Sequence, residues 1–281
     1  MENIKIISKN EKETNIKEFL LQNGLTATLI KKVKYGGVSI NRETVTMRGV
    51  VRPGDEVLIS LPEEVSEGIP PIDMPLDIIF EDEWMIAVNK PRNMPTHPSK
   101  GNSLPTLANG IMSYFNGNHT FRSINRLDRD TSGIVLMAKD AFSAAALSAS
   151  MKRGEFCKKY IAKVEGVLDN KHGVIDAPIR RESEGEMKRI VAPDGKSAVT
   201  EYTVISENGD SSLVEIILHT GRTHQIRVHF SYIGHPLVGD FLYGKRIDGE
   251  CYKLHCFELS LPHPNSRETI TLTAKCDFDD I

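Results

Sequence analysis

The sequence predicts an α+β protein: a mixed, mostly antiparallel sheet with helices packed on it. Two observations carry this. Strand patterns outnumber helix patterns, and successive strands are joined by short turns in hairpin order. At 281 residues the chain has room for one large domain or two smaller ones. The expected division is residues 1–60, a linker over 61–75 and a larger unit over 76–281.

The first unit opens with "NIKEFLLQNG", where Ile16, Phe19 and Leu20 fall at helical spacing and Gly24 is a natural stop. "TATLIKKVKYGG" repeats the pattern, with Thr26 as cap and Leu29, Ile30 and Val33 on one face. "VSINRETV" and "GDEVLISL" then read as short strands, with "RPGD" as a turn between them. The linker "LPEEVSEGIPPIDMP" is rich in Pro and Glu and lacks hydrophobic periodicity. Beyond it, "LDIIFEDEWMIAVNKP" predicts two strands around an acidic turn, and "SLPTLANGIMSYF" a helix. "GIVLMAK" predicts a buried strand, and "DAFSAAALSASMKRG" a helix capped by Asp140. "CKKYIAKVEGV" alternates as a strand, and "AVTEYTVISENGDSSLVEIILH" is a hairpin about Asn208-Gly209. "THQIRVHFSYIG" predicts a helix from a Thr223 cap to a Gly234 stop. "HCFELSLPHP" is expected as the final strand.

Composition narrows the function classes. There is no apolar run long enough to span a membrane and no signal-peptide core at the start. Four cysteines without a CxxC pair point to a reduced, cytoplasmic chain. The formal net charge of −3 does not advertise a nucleic-acid binder. Its distribution is uneven, however. Residues 1–60 hold ten Lys/Arg and seven Asp/Glu, whereas residues 61–83 hold eight Asp/Glu and no Lys/Arg. A basic face is therefore compatible with the near-neutral total.

The densest chemistry lies in "NRLDRDTSG", Asn125 to Gly133. Turn formers before a buried strand explain much of it, and an Asp-Arg pair in such a turn is commonly a surface ion pair. Spacing does not choose between Asp128 and Asp130. A second cluster, "HTGRTHQIRVH", places three histidines and two arginines within eleven residues. His224 and His229 are five apart, which suits neither one helical face nor one strand face, so a metal site is not expected. An arginine presented to a carboxylate or phosphate is the sharper reading, against a capped helix with a basic surface. Tyr160 in "KKYIAKVEG" could offer a ring to a base, or simply belong to a half-exposed strand. "NKPRNMPTHP" and "GHPLVGDFLYG" read as a rigid connector and a structured turn; neither has the order of a phosphate loop.

The segments "VNKPRNMPTHP", "NRLDRDTSGIVLMAK", "KKYIAKVEGV", "TGRTHQIRVHFSYIGHPLVGDFLYG" and "LHCFELSLPHP", in this order, resemble the RluA-type pseudouridine synthases. The resemblance spans about residues 75–275. It implies an enzyme that isomerises uridine to pseudouridine in large-subunit ribosomal RNA or in tRNA, acting as a monomer with RNA as partner. The reaction has no net redox change and adds no group, so no cofactor or metal is implied. The essential aspartate of the family matches Asp128, its active-site tyrosine Tyr160, and the arginine that pairs with the catalytic carboxylate Arg227. Arg126 matches the arginine that enters the RNA stack, and Ile226 an apolar position at the base pocket. Thr131 and Ser132 would shape the loop, and Arg222 and His224 join the substrate-contacting set. Where the family has His before Arg-Leu-Asp, this chain has Asn125, which bears on substrate contact more than on catalysis. Residues 1–60 resemble the alpha-L RNA-binding domain found in ribosomal protein S-four, although "TNIKEFL" replaces its usual Arg-Leu-Asp start. That implies RNA contacts from Lys31, Lys32, Lys34 and Arg42. Two other classes compete: a silent RNA-binding module, against which Asp128, Tyr160 and Arg227 argue, and a glycoside hydrolase, which needs two carboxylates at a set separation.

Overall fold

The computed structural model describes residues 2–61, 66, 68–98, 105–247, 249–276 and 278. The first sixty residues form β1 (Glu2–Ile7), β2 (Thr14–Asn15), α1 (Ile16–Gln22), α2 (Ala27–Val33), β3 (Val38–Ile40), β4 (Glu43–Thr44), β5 (Val50–Val51) and β6 (Glu56–Leu61). A four-stranded sheet in the order β1-β6-β3-β4 carries the two helices, and β2 pairs with β5. The helices start where their caps are. The Asn15 side chain accepts from Lys17 N, and Thr26 Oγ1 accepts from Leu29 N. Ile16, Phe19, Leu20, Ile30 and Val33 turn inward onto Ile4, Val57 and Ile59. This core is completed by Phe142, with Trp84 packed beside it, both from the larger part of the chain.

Residues 62–65 and 67 of the expected linker, like Ser103 and Leu104 of the next expected helix, lie outside the described residues. The described part of the linker is extended, but it adheres to its neighbour. Ile69 is buried, Ile72 N donates to Asn109 O, and Asn109 Nδ2 donates to Pro70 O.

The larger part comprises β7 (Ile78–Glu81), β8 (Met85–Lys90), α3 (Leu107–Tyr114), β9 (Arg122–Ser123), β10 (Ser132–Ala138), α4 (Ala141–Lys152), β11 (Cys157–Glu165), β12 (His172–Asp176), β13 (Ile179–Arg181), β14 (Arg189–Val191), β15 (Val199–Glu207), β16 (Ser211–Leu218), α5 (Gln225–Tyr232), β17 (Leu254–Pro262) and β18 (Thr269–Thr273). Ten strands form one sheet along β12-β15-β16-β11-β17-β10-β8-β7, with β18 on β17 and β9 on β10. Its pairings are antiparallel except β10 with β17, which run parallel at Ser132↔His255 and Gly133↔Cys256. There the two backbones approach so closely that a Cβ on Gly133 would lie 2.2 Å from Cys256 O, at a φ of +110°. All seven residues of β10 are buried, as its apolar run predicts. The β13–β14 hairpin stands apart as a two-stranded arm.

Three expectations need correction. β1 precedes the first helix, in a lysine-rich stretch whose strand character the sequence reading missed. β17 is not the last strand, because the chain turns at His263 and returns as β18. Finally, Thr223 does not cap α5. The helix begins at Gln225 behind His224, which sits in the left-handed region at φ 58° with no side-chain cap. Buried Gln225 organises this turn instead: its Oε1 accepts from Arg222 N and Thr220 Oγ1, and its Nε2 donates to Val199 O and Thr200 Oγ1.

Candidate active site

The loop carrying Asp128 is held from both sides. Buried Asn125 donates from Nδ2 to Ile134 O and accepts from Leu136 N at Oδ1, so its side chain fastens the loop to β10. Thr96 Oγ1 donates to Leu127 O. Lys90, at the end of β8, is fully buried, and its ammonium donates to the carbonyls of Pro91, Met94 and Arg129. A buried cation of this kind is tolerated because carbonyl dipoles replace its water. It joins the Pro-rich 91–98 connector to the aspartate loop.

Between these fastenings the two aspartates diverge. Asp130 is buried and takes a bidentate pair from its neighbour Arg129, at 2.9 and 3.0 Å. Asp128 is partly exposed and lines a small cavity of about 70 Å³ with Arg126, Thr131, Tyr160, His224, Ile226 and Arg227. Its Oδ2 lies 3.7 Å from Arg227 Nη1 and 3.8 Å from His224 Nε2. The cavity opens into a groove of about 920 Å³, whose lining includes Arg126, Arg129 and Lys158 on one side and Arg181, Met187 and Arg189 of the arm on the other.

Arg227 is the best-anchored group in the site. Its guanidinium makes a bidentate pair with Asp240, at 2.7 and 2.8 Å. It lies 4.3 Å from the ring centre of Tyr252 and 4.9 Å from that of Tyr243. Burial alone would lower its pKa, but the Asp240 hydrogen bonds and the surrounding negative charge, Asp128 included, raise it. The guanidinium therefore stays charged. Asp240 is fully buried, and its Oδ1 also accepts from Leu242 N and Tyr243 N. The turn "GDFLYG" is thus part of the site, which the sequence reading missed. Its one signal was a single acid in an otherwise apolar, glycine-flanked turn.

Tyr160 is buried at the floor, where burial, the Cys256 thiol and Asp128 push its phenol pKa well up. Burial also pushes Cys256 up to about 12. Tyr160 therefore presents a neutral phenol. His224 is held by Tyr243, whose hydroxyl is 2.8 Å from Nδ1 and accepts from Arg189 N. The other ring nitrogen, Nε2, faces Asp128. Burial lowers the His224 pKa, reinforced by Arg227 and Arg189 and opposed by Asp128.

The remaining expected residues divide. Thr131 lines the cavity, with its hydroxyl 3.0 Å from that of Tyr252. Arg222 reaches the same cavity while its Nε donates to Ser197 O. Ser132 is withdrawn from the cavity lining, its hydroxyl engaged by His255 Nδ1 at 2.9 Å. Asn125 spends its amide on β10 rather than on the cavity with Asp128. Lys31, Lys32, Lys34 and Arg42 are exposed on the first unit, and none lines the cavity or its groove. The three histidines around α5 separate: His219 pairs with Glu201, His224 faces Asp128, and His229 packs between Thr200 and the Ala177 carbonyl. No cluster of metal-ligating side chains occurs among the described residues.

A family model described as RNA pseudouridylate synthase matches residues 84–232. The uncharacterized RNA pseudouridine synthase YjbO of Bacillus subtilis is 40% identical over 271 residues, covering 94% of this chain and 96% of its own length. Ribosomal large subunit pseudouridine synthase D of Zymomonas mobilis is 36% identical, over 74% of this chain and 72% of its own. The solved structure of human RNA pseudouridylate synthase domain containing 1 superposes with a TM-score of 0.63 at 28% identity, covering 74% of this chain and 86% of that one. The matched family segment takes in the loop bearing Asp128, the strand bearing Tyr160 and the helix bearing Arg227. The chain therefore belongs to the RNA pseudouridine synthases, the isomerases that convert uridine to pseudouridine.

Proposed function

We propose that the substrate is a uridine of large-subunit ribosomal RNA and that Asp128 is the carboxylate on which its isomerisation turns. The observation that carries this is the placement of Asp128 in a small cavity against a buried, charged Arg227, while Asp130 is already spent on Arg129. The ribosomal target is supported by the name of the Zymomonas relative and by the mildly basic first unit. That unit, residues 1–60, is read as a separate RNA-binding domain, and the enzyme as cytoplasmic.

The reaction breaks the N1–C1′ bond, turns the uracil, joins C5 to C1′, and moves the C5 proton away while N1 regains one. Atoms balance without a cofactor. Asp128 either attacks the sugar or removes a sugar proton to expel uracil, with the Arg227 guanidinium 3.7 Å from its Oδ2. Tyr160, as a neutral phenol, provides a ring for the uracil and a hydroxyl for passing the C5 proton. Ile226 supplies an apolar wall. Bringing the base out of its stack costs a few kcal/mol, and exposed Arg126 at the cavity mouth is placed to fill the vacated space.

The test combines pseudouridine mapping with two variants. Ribosomal RNA and tRNA from cells lacking the protein are mapped, then re-mapped after complementation. The expected result is loss of a large-subunit site, restored by the natural protein and by Asp130→Asn but not by Asp128→Asn. Restoration by Asp128→Asn would overturn the catalytic assignment, and a loss confined to tRNA would overturn the target.

A further inference from the structure

The arm separates the active-site groove from a second cleft of about 480 Å³. Arg181, Arg189, Gly221, Arg222 and Thr223 line both spaces, so the second continues the first past the arm. Among the described residues its charged lining consists of Arg180, Arg181, Arg189, Lys196 and Arg222, against Asp194. In a chain of net charge −3 this is a local concentration of positive charge that overall composition does not explain.

The walls are fixed. Ile179 and Lys196 exchange backbone hydrogen bonds across the cleft floor. Gly195 permits that approach, because a Cβ there would lie 2.7 Å from the Ile179 backbone. Arg180 is held by Asp194 at 2.9 Å and by two arm carbonyls, and Arg222 by Ser197 O at 2.9 Å. The Arg181 and Lys196 side chains have no hydrogen-bond or ion-pair partner among the described residues. Among the described residues the lining contains no aromatic ring on which a base would stack, so the chemistry favours a charged backbone over a nucleobase.

We propose that this cleft holds phosphodiester groups of the substrate RNA next to the target uridine, independently of sequence. The inference rests on the reading of the protein as an RNA uridine isomerase. It places one RNA strand along both sides of the arm.

The test uses the full chain and two labelled single-stranded probes: a short oligouridylate that fills the active-site groove, and the same segment extended by flanking nucleotides on both sides. Affinities are measured over a range of salt for the natural protein and for Lys196→Gln, whose residue lines the second cleft and not the groove. Lys196 is exposed, and thermal unfolding checks that the variant is folded. For the extended probe the slope of log affinity against log salt should fall by about 0.7 for each phosphate no longer neutralised, with several-fold weaker binding. The short probe should bind both proteins alike, and turnover at saturating RNA should be unchanged. An unchanged slope on the extended probe, or an equal loss on both probes, would overturn the proposal. Failure of the functional reading shows separately, as absence of isomerisation by the natural protein.

Discussion

Among single residues, the site turns on how three charges are shared. Asp240 takes both prongs of the Arg227 fork, so Arg227 meets Asp128 at 3.7 Å and leaves that carboxylate uncommitted. Asp240→Asn keeps the shape and the acceptor for Leu242 N and Tyr243 N but removes the charge. Breaking a buried ion pair costs about 3–5 kcal/mol, and Arg227 is then free to close on Asp128. We expect turnover to fall about 100-fold, the scale of a misplaced catalytic group, with RNA affinity nearly unchanged. Single-turnover rates beside equilibrium binding test this; a loss of affinity with intact turnover would refute it. The family resemblance singled out Asp128 by its Arg-Leu-Asp setting, whereas composition and spacing alone left it level with Asp130. Asp240 was not legible, because its partner lies thirteen residues back and they meet only when α5 and the following turn fold together.

At the level of elements, sequence periodicity served where an element was long enough to show a period. The caps at Thr26 and Asp140, the buried run of β10 and the hairpin at Asn208-Gly209 all appear where expected. β2, β5, β13 and β14 are two or three residues long and display no period. The arm that walls the groove was therefore invisible in the sequence. So was the left-handed turn at His224, since the Gln225 side chain that shapes it acts through partners on β15. The parallel contact between β10 and β17 makes the sharpest demand. Gly133→Ala brings a side chain into the Cys256 backbone at a positive φ, and overpacking with backbone strain should cost about 3 kcal/mol or more. Thermal unfolding would show this as a clear fall in midpoint, and an unchanged midpoint would contradict the geometry. The same strand carries the aspartate loop, so activity should fall below what the remaining folded fraction accounts for.

At the scale of the whole molecule, the acidic linker suggested two units joined by a solvated tether. The tether is in part adherent, and Phe142 of α4 lies within the apolar core of the first unit. A pattern of polar residues cannot report such a contact, because the contacting residue belongs to a helix about seventy residues further on. Deleting residues 1–60 should therefore bare Phe142 and Trp84 and leave a protein prone to self-association. Adding Phe142→Ser to the deletion should restore solution behaviour. Light scattering of the two truncated proteins tests this, and a monodisperse truncated protein carrying Phe142 would show the contact to be unimportant.

The docking of the first unit through Phe142 has a geometric consequence. Two RNA-binding bodies on a slack tether can grip sites at many separations, with an effective concentration set by tether length. Bodies locked through a shared core offer essentially one separation. On the proposed roles, the protein is then a ruler: the grip of the first unit on an RNA fold fixes how far away the eligible uridine lies, whatever its neighbouring letters.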